Sequence, residues 1–128
     1  VHGCPPDDMT TYLFEVSSLR FKSIFKGMKE RLCFVGHTHS LNIIQFNGEQ
    51  VIQSSLKEGK TALKEDMKHI INCGSVGQPR DGDNRAKYVI WDTESRLLEV
   101  RFVSYDISLT AAKIIERGLP EIYARRLF

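Results

Sequence analysis

The sequence predicts an α/β domain, and three observations carry the prediction. Short apolar runs closed by Gly, Asn, Asp or Ser recur along the chain, at Leu32–Val35, Leu41–Phe46, 69–73, 86–91 and Leu97–Val103, and read as strands. Two other stretches, beginning near Leu19 and near Ser108, repeat their apolar residues at helical spacing instead. The chain has 128 residues, 41% hydrophobic and 27% charged, which suits one domain with a packed core and excludes a disordered segment.

In chain order, Val1 and His2 lead into a turn-forming stretch, Gly3 to Asp8, of Gly, Pro and Asp. One or two apolar residues are too few for a strand, so the expectation is the C-terminal part of a longer protein whose preceding strand lies outside the chain. Residues 9–16 show no clean period. From Leu19 onward Phe21, Ile24, Phe25 and Met28 fall on one helical face, with Ser17 or Ser18 placed to cap the start. Arg20, Lys22, Lys26 and Lys29 lie between them and read as a solvated face.

The strand Leu32–Val35 runs into Gly36, which is expected to supply the sharp turn. Asn47-Gly48 predicts a type I′ hairpin between strands at 41–46 and 50–53. Residues 54–68 are polar and read as a surface excursion. Beyond the strand at 69–73 comes a loop dense in glycine, 74–84, with positive φ expected at Gly74 and Gly77. The strands 86–91 and 97–103 should pair antiparallel across the connector 92–95, with Leu98, Val100 and Phe102 inward. A helix at 108–117, carrying Ile107, Ala111, Ile114 and Ile115 on one side, should pack over that pair and stop at Gly118. Pro120 begins a last helical turn.

The net charge of +2 does not point to nucleic acid, and no apolar run approaches the roughly 18 residues of a membrane span. Cys4, Cys33 and Cys73 are odd in number and form no Cys-x-x-Cys pair, which argues against a disulfide framework and for a reducing, cytoplasmic setting.

The chemistry is concentrated at Gly36-His37-Thr38-His39. Two imidazoles one residue apart, just past a strand end, stand where α/β proteins place their ligands. Neutral imidazole is a common ligand of zinc, iron, manganese and nickel. A lone His-x-His pair is as readily incidental as functional. His69 reads as structural or exposed, and Cys4 as a small buried side chain in a tight turn. Arg80, a planar and always-charged donor, is a candidate contact for phosphate, although an arginine on a polar loop usually meets solvent.

Three stretches in this order resemble the calcineurin-like metallophosphoesterases, and most nearly the small bacterial and archaeal phosphodiesterases of the YfcE type. They are Val1-His2-Gly3 with Pro5, Gly36-His37-Thr38-His39, and the run from Asn72 through Cys73-Gly74-Ser75-Val76-Gly77-Gln78-Pro79-Arg80 to Gly82. The resemblance implies the C-terminal part of a four-layer α/β/β/α sandwich, with a mixed or antiparallel sheet and flanking helices. It also implies two divalent metal ions, of manganese, iron, zinc or nickel, with His2 and His37 as ligands of one and His39 of the other. Such a pair of ions clamps a phosphate and activates water for in-line attack. The implied substrate is a small phosphodiester or phosphomonoester.

The chain departs from the family in lacking its Asp-x-His, Gly-Asp-x-x-Asp and Gly-Asn-His motifs, so the bridging carboxylate and the general acid are expected in an N-terminal half that the activity requires. Cys4 and Cys73 also stand where the family more often has Ser or Thr and Pro. The resemblance therefore implies no catalytic acid or base here. The alternative reading is a non-catalytic binding module on the same fold, since fold alone does not separate the two.

Overall fold

The computed structural model describes residues 1–128. A 3-10 turn, Leu13–Glu15, precedes helix α1 (Ser18–Gly27) and then five strands: β1 (Leu32–Val35), β2 (Leu41–Phe46), β3 (Val51–Ser55), β4 (Gly59–Ala62) and β5 (Lys68–Cys73). Strands β6 (Ala86–Asp92) and β7 (Leu97–Val103) and helices α2 (Ile107–Glu116) and α3 (Glu121–Arg125) complete the chain. One sheet has the order β1-β5-β2-β3 and the other β4-β7-β6. Only the β1–β5 pair is parallel, so the first sheet is mixed and the second antiparallel. No helix is long and apolar enough to cross a membrane.

Alternation along the central strands builds the layers, because successive residues of a strand face opposite sides. Ile44 and Phe46 of β2, Ile70 of β5 and Val35 of β1 point to one side, where they pack with Phe21 and Phe25 of α1. Leu41, Ile43 and Ile71 point to the other, against Leu98 and Val100 of β7. The molecule is thus a helix layer on a mixed sheet on an antiparallel sheet. Phe21 and Phe25 are fully buried, each burial contributing about 1.5–3 kcal/mol. Ser17 caps α1 by accepting from the Arg20 N–H at 3.3 Å.

The strands 86–91 and 97–103 pair antiparallel as predicted, with Val89 opposite Val100 and Trp91 opposite Leu98. Several local expectations are corrected. Helix α2 packs Ala111, with Ile107 and Ile114 beside it, against Ala124 and Leu127 at the chain's end, not over β6 and β7, and Ile115 is exposed. Residues 54–68 are not all surface: β4 pairs with β7, while Leu56 and Leu63 enter the core between the sheets. The hairpin after β2 is not type I′. The Asn47 Oδ1 accepts the Glu49 and Gln50 N–H groups at 2.9 and 2.8 Å, and Gly48 takes the positive φ of 98°. That side-chain cap widens the connection to four residues, with Phe46 opposite Val51.

Candidate metal centre

The C-terminal ends of β1 and β5 meet the residues after Val1 along one edge of the first sheet, and two of the predicted histidines, His2 and His37, come together there. The Gly36 N–H donates to the His2 carbonyl at 2.8 Å, which holds the segment before Gly3 against the end of β1. Gly3 can be nothing larger, because a Cβ there would sit 2.9 Å from the Asp8 carbonyl oxygen. That carbonyl accepts the Cys4 N–H at 2.8 Å, and the Asp8 side chain accepts the Thr10 and Thr11 N–H groups at 2.8 and 2.9 Å. These bonds, led by the Thr11 hydroxyl, hold the Asp8 carboxyl well below the usual carboxylate range.

Within this frame His2 Nε2 lies 3.0 Å from His37 Nδ1, although 35 residues separate them. The two rings meet edge-on, and Tyr12 stacks on the His37 ring with centroids 4.2 Å apart. His39 is oriented differently. Its Nδ1 donates to the Gln78 carbonyl at 2.8 Å, and since a carbonyl only accepts, the neutral ring keeps its lone pair on Nε2. The Arg80 N–H donates to the His39 carbonyl at 3.2 Å, so the glycine loop grips this residue at both backbone and ring.

The turn itself is strained. His37 and His39 have φ of 65° and 59°, a left-handed conformation that costs a non-glycine residue about 1–2 kcal/mol. Gly36, which the sequence marks as the special residue, does not have positive φ, and a Cβ there would meet nothing closer than 3.9 Å. In the glycine loop Gly74 has the expected positive φ, at 74°, but Gly77 does not and Gly82 does, at 83°. Strain of this kind persists only where surrounding structure over-determines it, and it clusters at functional sites.

Two residues that hold the arrangement together, Asn72 and Lys87, are not among the candidate site residues of the sequence. Asn72 on β5, fully buried, donates from Nδ2 to the Gly36 carbonyl at 3.1 Å and to the Thr38 hydroxyl, and accepts the Gly74 N–H at 3.2 Å. Lys87 on β6 is buried with its ammonium on Asp81 Oδ1 at 2.8 Å and on the Asp83 carbonyl, fastening the glycine loop from beneath. An inward position for lysine in an otherwise apolar strand was the visible hint. A buried charge is tolerated only when paired in this way.

Of the remaining predicted residues, the Arg80 side chain is exposed. His69 is buried at the far end of β5, paired opposite Leu32, and is structural. Cys4 is buried in the core beneath α1, where burial pushes its thiol up from the ordinary value of 9.0 and makes it a poor metal ligand. All three cysteines are free.

The donor set fits a metal in part. Two imidazole nitrogens 3.0 Å apart have the separation of adjacent ligands to one ion bonded at about 2.0–2.1 Å. His39 Nε2 offers a third lone pair. No three His, Cys, Asp or Glu side chains of the chain are grouped to hold a single ion.

No family model matches the sequence. The chain is 46% identical over 97 residues to an uncharacterized protein of Methanocaldococcus jannaschii, an alignment covering 76% of this chain and 38% of that protein. It is similar in structure to a metallophosphoesterase from Sphaerobacter thermophilus, with a TM-score of 0.81 and 34% sequence identity, over 99% of this chain and 52% of that one. The chain thus spans well under two thirds of either relative. Two sheets with flanking helices, superposable over nearly the whole chain, give it a metallophosphoesterase-like fold.

Proposed function

We propose that the chain is the C-terminal portion of a metal-dependent phosphohydrolase of the small-phosphodiesterase type, cleaving a phosphodiester or phosphomonoester. One observation carries this reading: His2 and His37, distant in sequence, bring ring nitrogens to 3.0 Å at the end of β1. In this reading His2 and His37 hold one divalent ion and His39 Nε2 a second, manganese, iron, zinc and nickel all suiting imidazole. When bound, such ions supply Lewis-acid polarisation of a phosphoryl oxygen and an activated water.

The chain's own contribution is orientation. The Gln78 carbonyl fixes the His39 tautomer, Tyr12 buttresses the His37 ring, and the glycine loop grips His39 at its backbone as well. The bridging carboxylate and the group that protonates the leaving oxygen belong, in this reading, to residues outside the chain, as does the rest of the single domain. Arg80, exposed on the loop that grips His39, is placed in this reading beside the phosphate. Free cysteines suit a cytoplasmic setting.

The test is turnover of bis-p-nitrophenyl phosphate and p-nitrophenyl phosphate by the full-length protein loaded with manganese. The expected result is hydrolysis, abolished in His37→Ala and not supported by the 128-residue chain alone. A full-length protein that binds manganese yet leaves both esters intact would transfer the reading to a binding module on this fold.

A further inference from the structure

We infer that Asn72 is the positioning residue of the candidate centre, the group that holds the His37–His39 turn in the conformation from which both imidazoles reach metal. The inference rests on the metal-centre reading above and asks what makes that centre possible.

The turn is a high-energy conformation. Two histidines flanking Thr38 both lie in the left-handed region, where a residue with a Cβ loses about 1–2 kcal/mol, so an unsupported chain would relax to an ordinary turn. Relaxation would swing both rings, because φ sets the direction of the side chain. The support has to come from neighbours. Within the turn, the Thr38 N–H donates to the Gly36 carbonyl at 2.8 Å, which closes the loop but does not tie it to the sheet.

Asn72 supplies that tie. It stands on β5 opposite Val35 of the parallel neighbour β1 and opposite Asn42 of β2, the two strands that the turn connects. Its amide is engaged at both ends: both N–H groups donate, one to the Gly36 carbonyl and one to the Thr38 hydroxyl, and its oxygen accepts the Gly74 N–H. Gly74 has φ of 74° and begins the loop whose Gln78 carbonyl orients the His39 ring. One buried amide therefore reaches the turn that carries the ligands and the loop that fixes a ligand's tautomer. Thr38 is its counterpart, buried at 5% exposure and also accepting the Ser40 N–H at 3.4 Å.

The chemistry requires an amide here. Aspartate has the same shape and keeps the acceptor for Gly74, but when ionised offers no donor to Gly36 or Thr38. Leucine removes donors and acceptor together. Groups that orient a metal's imidazole ligands typically change metal affinity about 10–100-fold when removed.

The experiment compares Asn72→Asp and Thr38→Val with the parent in the full-length protein. Thr38→Val is the milder variant and guards against a fold lost to the buried aspartate. Three quantities are measured: affinity for manganese and zinc by calorimetry, far-UV circular dichroism to verify folding, and long-range nitrogen–proton spectra of the metal-free protein, which report the tautomer of each imidazole. Positioning predicts a folded Thr38→Val with metal affinity reduced about 10–100-fold. It also predicts that the His39 ring, held with its proton on Nδ1 in the parent, shifts to mixed tautomers in the variants.

Folded variants with parental affinity and parental tautomers would overturn the inference and leave Asn72 a packing residue. A parent that binds no metal would defeat the phosphohydrolase reading instead. The spectra would still decide for Asn72, loss of the fixed tautomer supporting its role and retention refuting it.

Discussion

His69 shows how much a residue's place, and not its type, decides its chemistry. It is 1% exposed, its Nε2 has no partner, and Arg96 lies nearby, so burial first and that positive charge second lower its pKa from 6.5. The folded imidazole therefore takes up its proton at a lower pH than the unfolded one. Once the pH falls below the unfolded value of 6.5 the unfolded chain binds more protons, so stability is full above that value and declines as the pH drops towards the folded pKa. The urea midpoint of the parent should fall between neutral pH and about pH 5.5, and that fall should be smaller in His69→Leu. Equal falls in the two proteins would show that another group carries the acid sensitivity. His37 and His39, by contrast, sit on a left-handed turn past the opposite end of the same sheet and are only partly buried.

At the scale of elements, α1 is held by aromatic burial while β7 is held partly by charge. Phe25 is fully buried and stacks on Phe46 of β2 with centroids 5.3 Å apart. Phe102 faces the same core as Leu98 and Val100, but it is only partly buried and carries the Arg85 guanidinium at 4.6 Å and the Lys87 ammonium at 4.9 Å over its ring. Phe25→Ala should therefore cost about 3–5 kcal/mol of unfolding free energy, by the removal of a large buried side chain. Phe102→Ala should cost clearly less by denaturant titration, since only part of its ring is withdrawn from water. A larger loss from Phe102 would mean that its cations anchor the glycine loop more strongly than burial suggests.

At the scale of the whole molecule, the proposed centre would need ligands besides the chain's three histidines. The proposed ligands are His2 and His37 for one ion and His39 for another, and no group of three converges on one ion. Ligands that bind only the folded state stabilise it by mass action, about 2.7 kcal/mol at a hundredfold excess over Kd. Manganese should thus raise the melting temperature of the full-length protein, reversibly with chelator, and raise that of the isolated chain by much less. Equal shifts in both would mean that the histidines assemble a tight site unaided.

Periodicity alone located the helix from Ser18 and strands β1, β2, β5, β6 and β7, because alternation and helical spacing record which face of each segment meets a core. The same local information placed His37 and His39 past a strand end and marked His69 as apart from them. It gave Asn72 no role beyond the first residue of the family-like loop, because only the parallel pairing of β1 and β5 brings that residue beneath the turn. Nor could it find the left-handed histidines, for the sequence offers Gly36 as the obvious bearer of unusual φ, while the structure loads the strain on its neighbours. β4 was hidden because Gly59–Ala62 has no buried face and exists through its pairing with β7. The 3.0 Å meeting of His2 with His37 is likewise tertiary: a strand end, a glycine with no room for a Cβ and a backbone hydrogen bond from Gly36 together close a gap of 35 residues. Sequence determines which residues can be ligands; their convergence is decided by non-local pairings that no local pattern encodes.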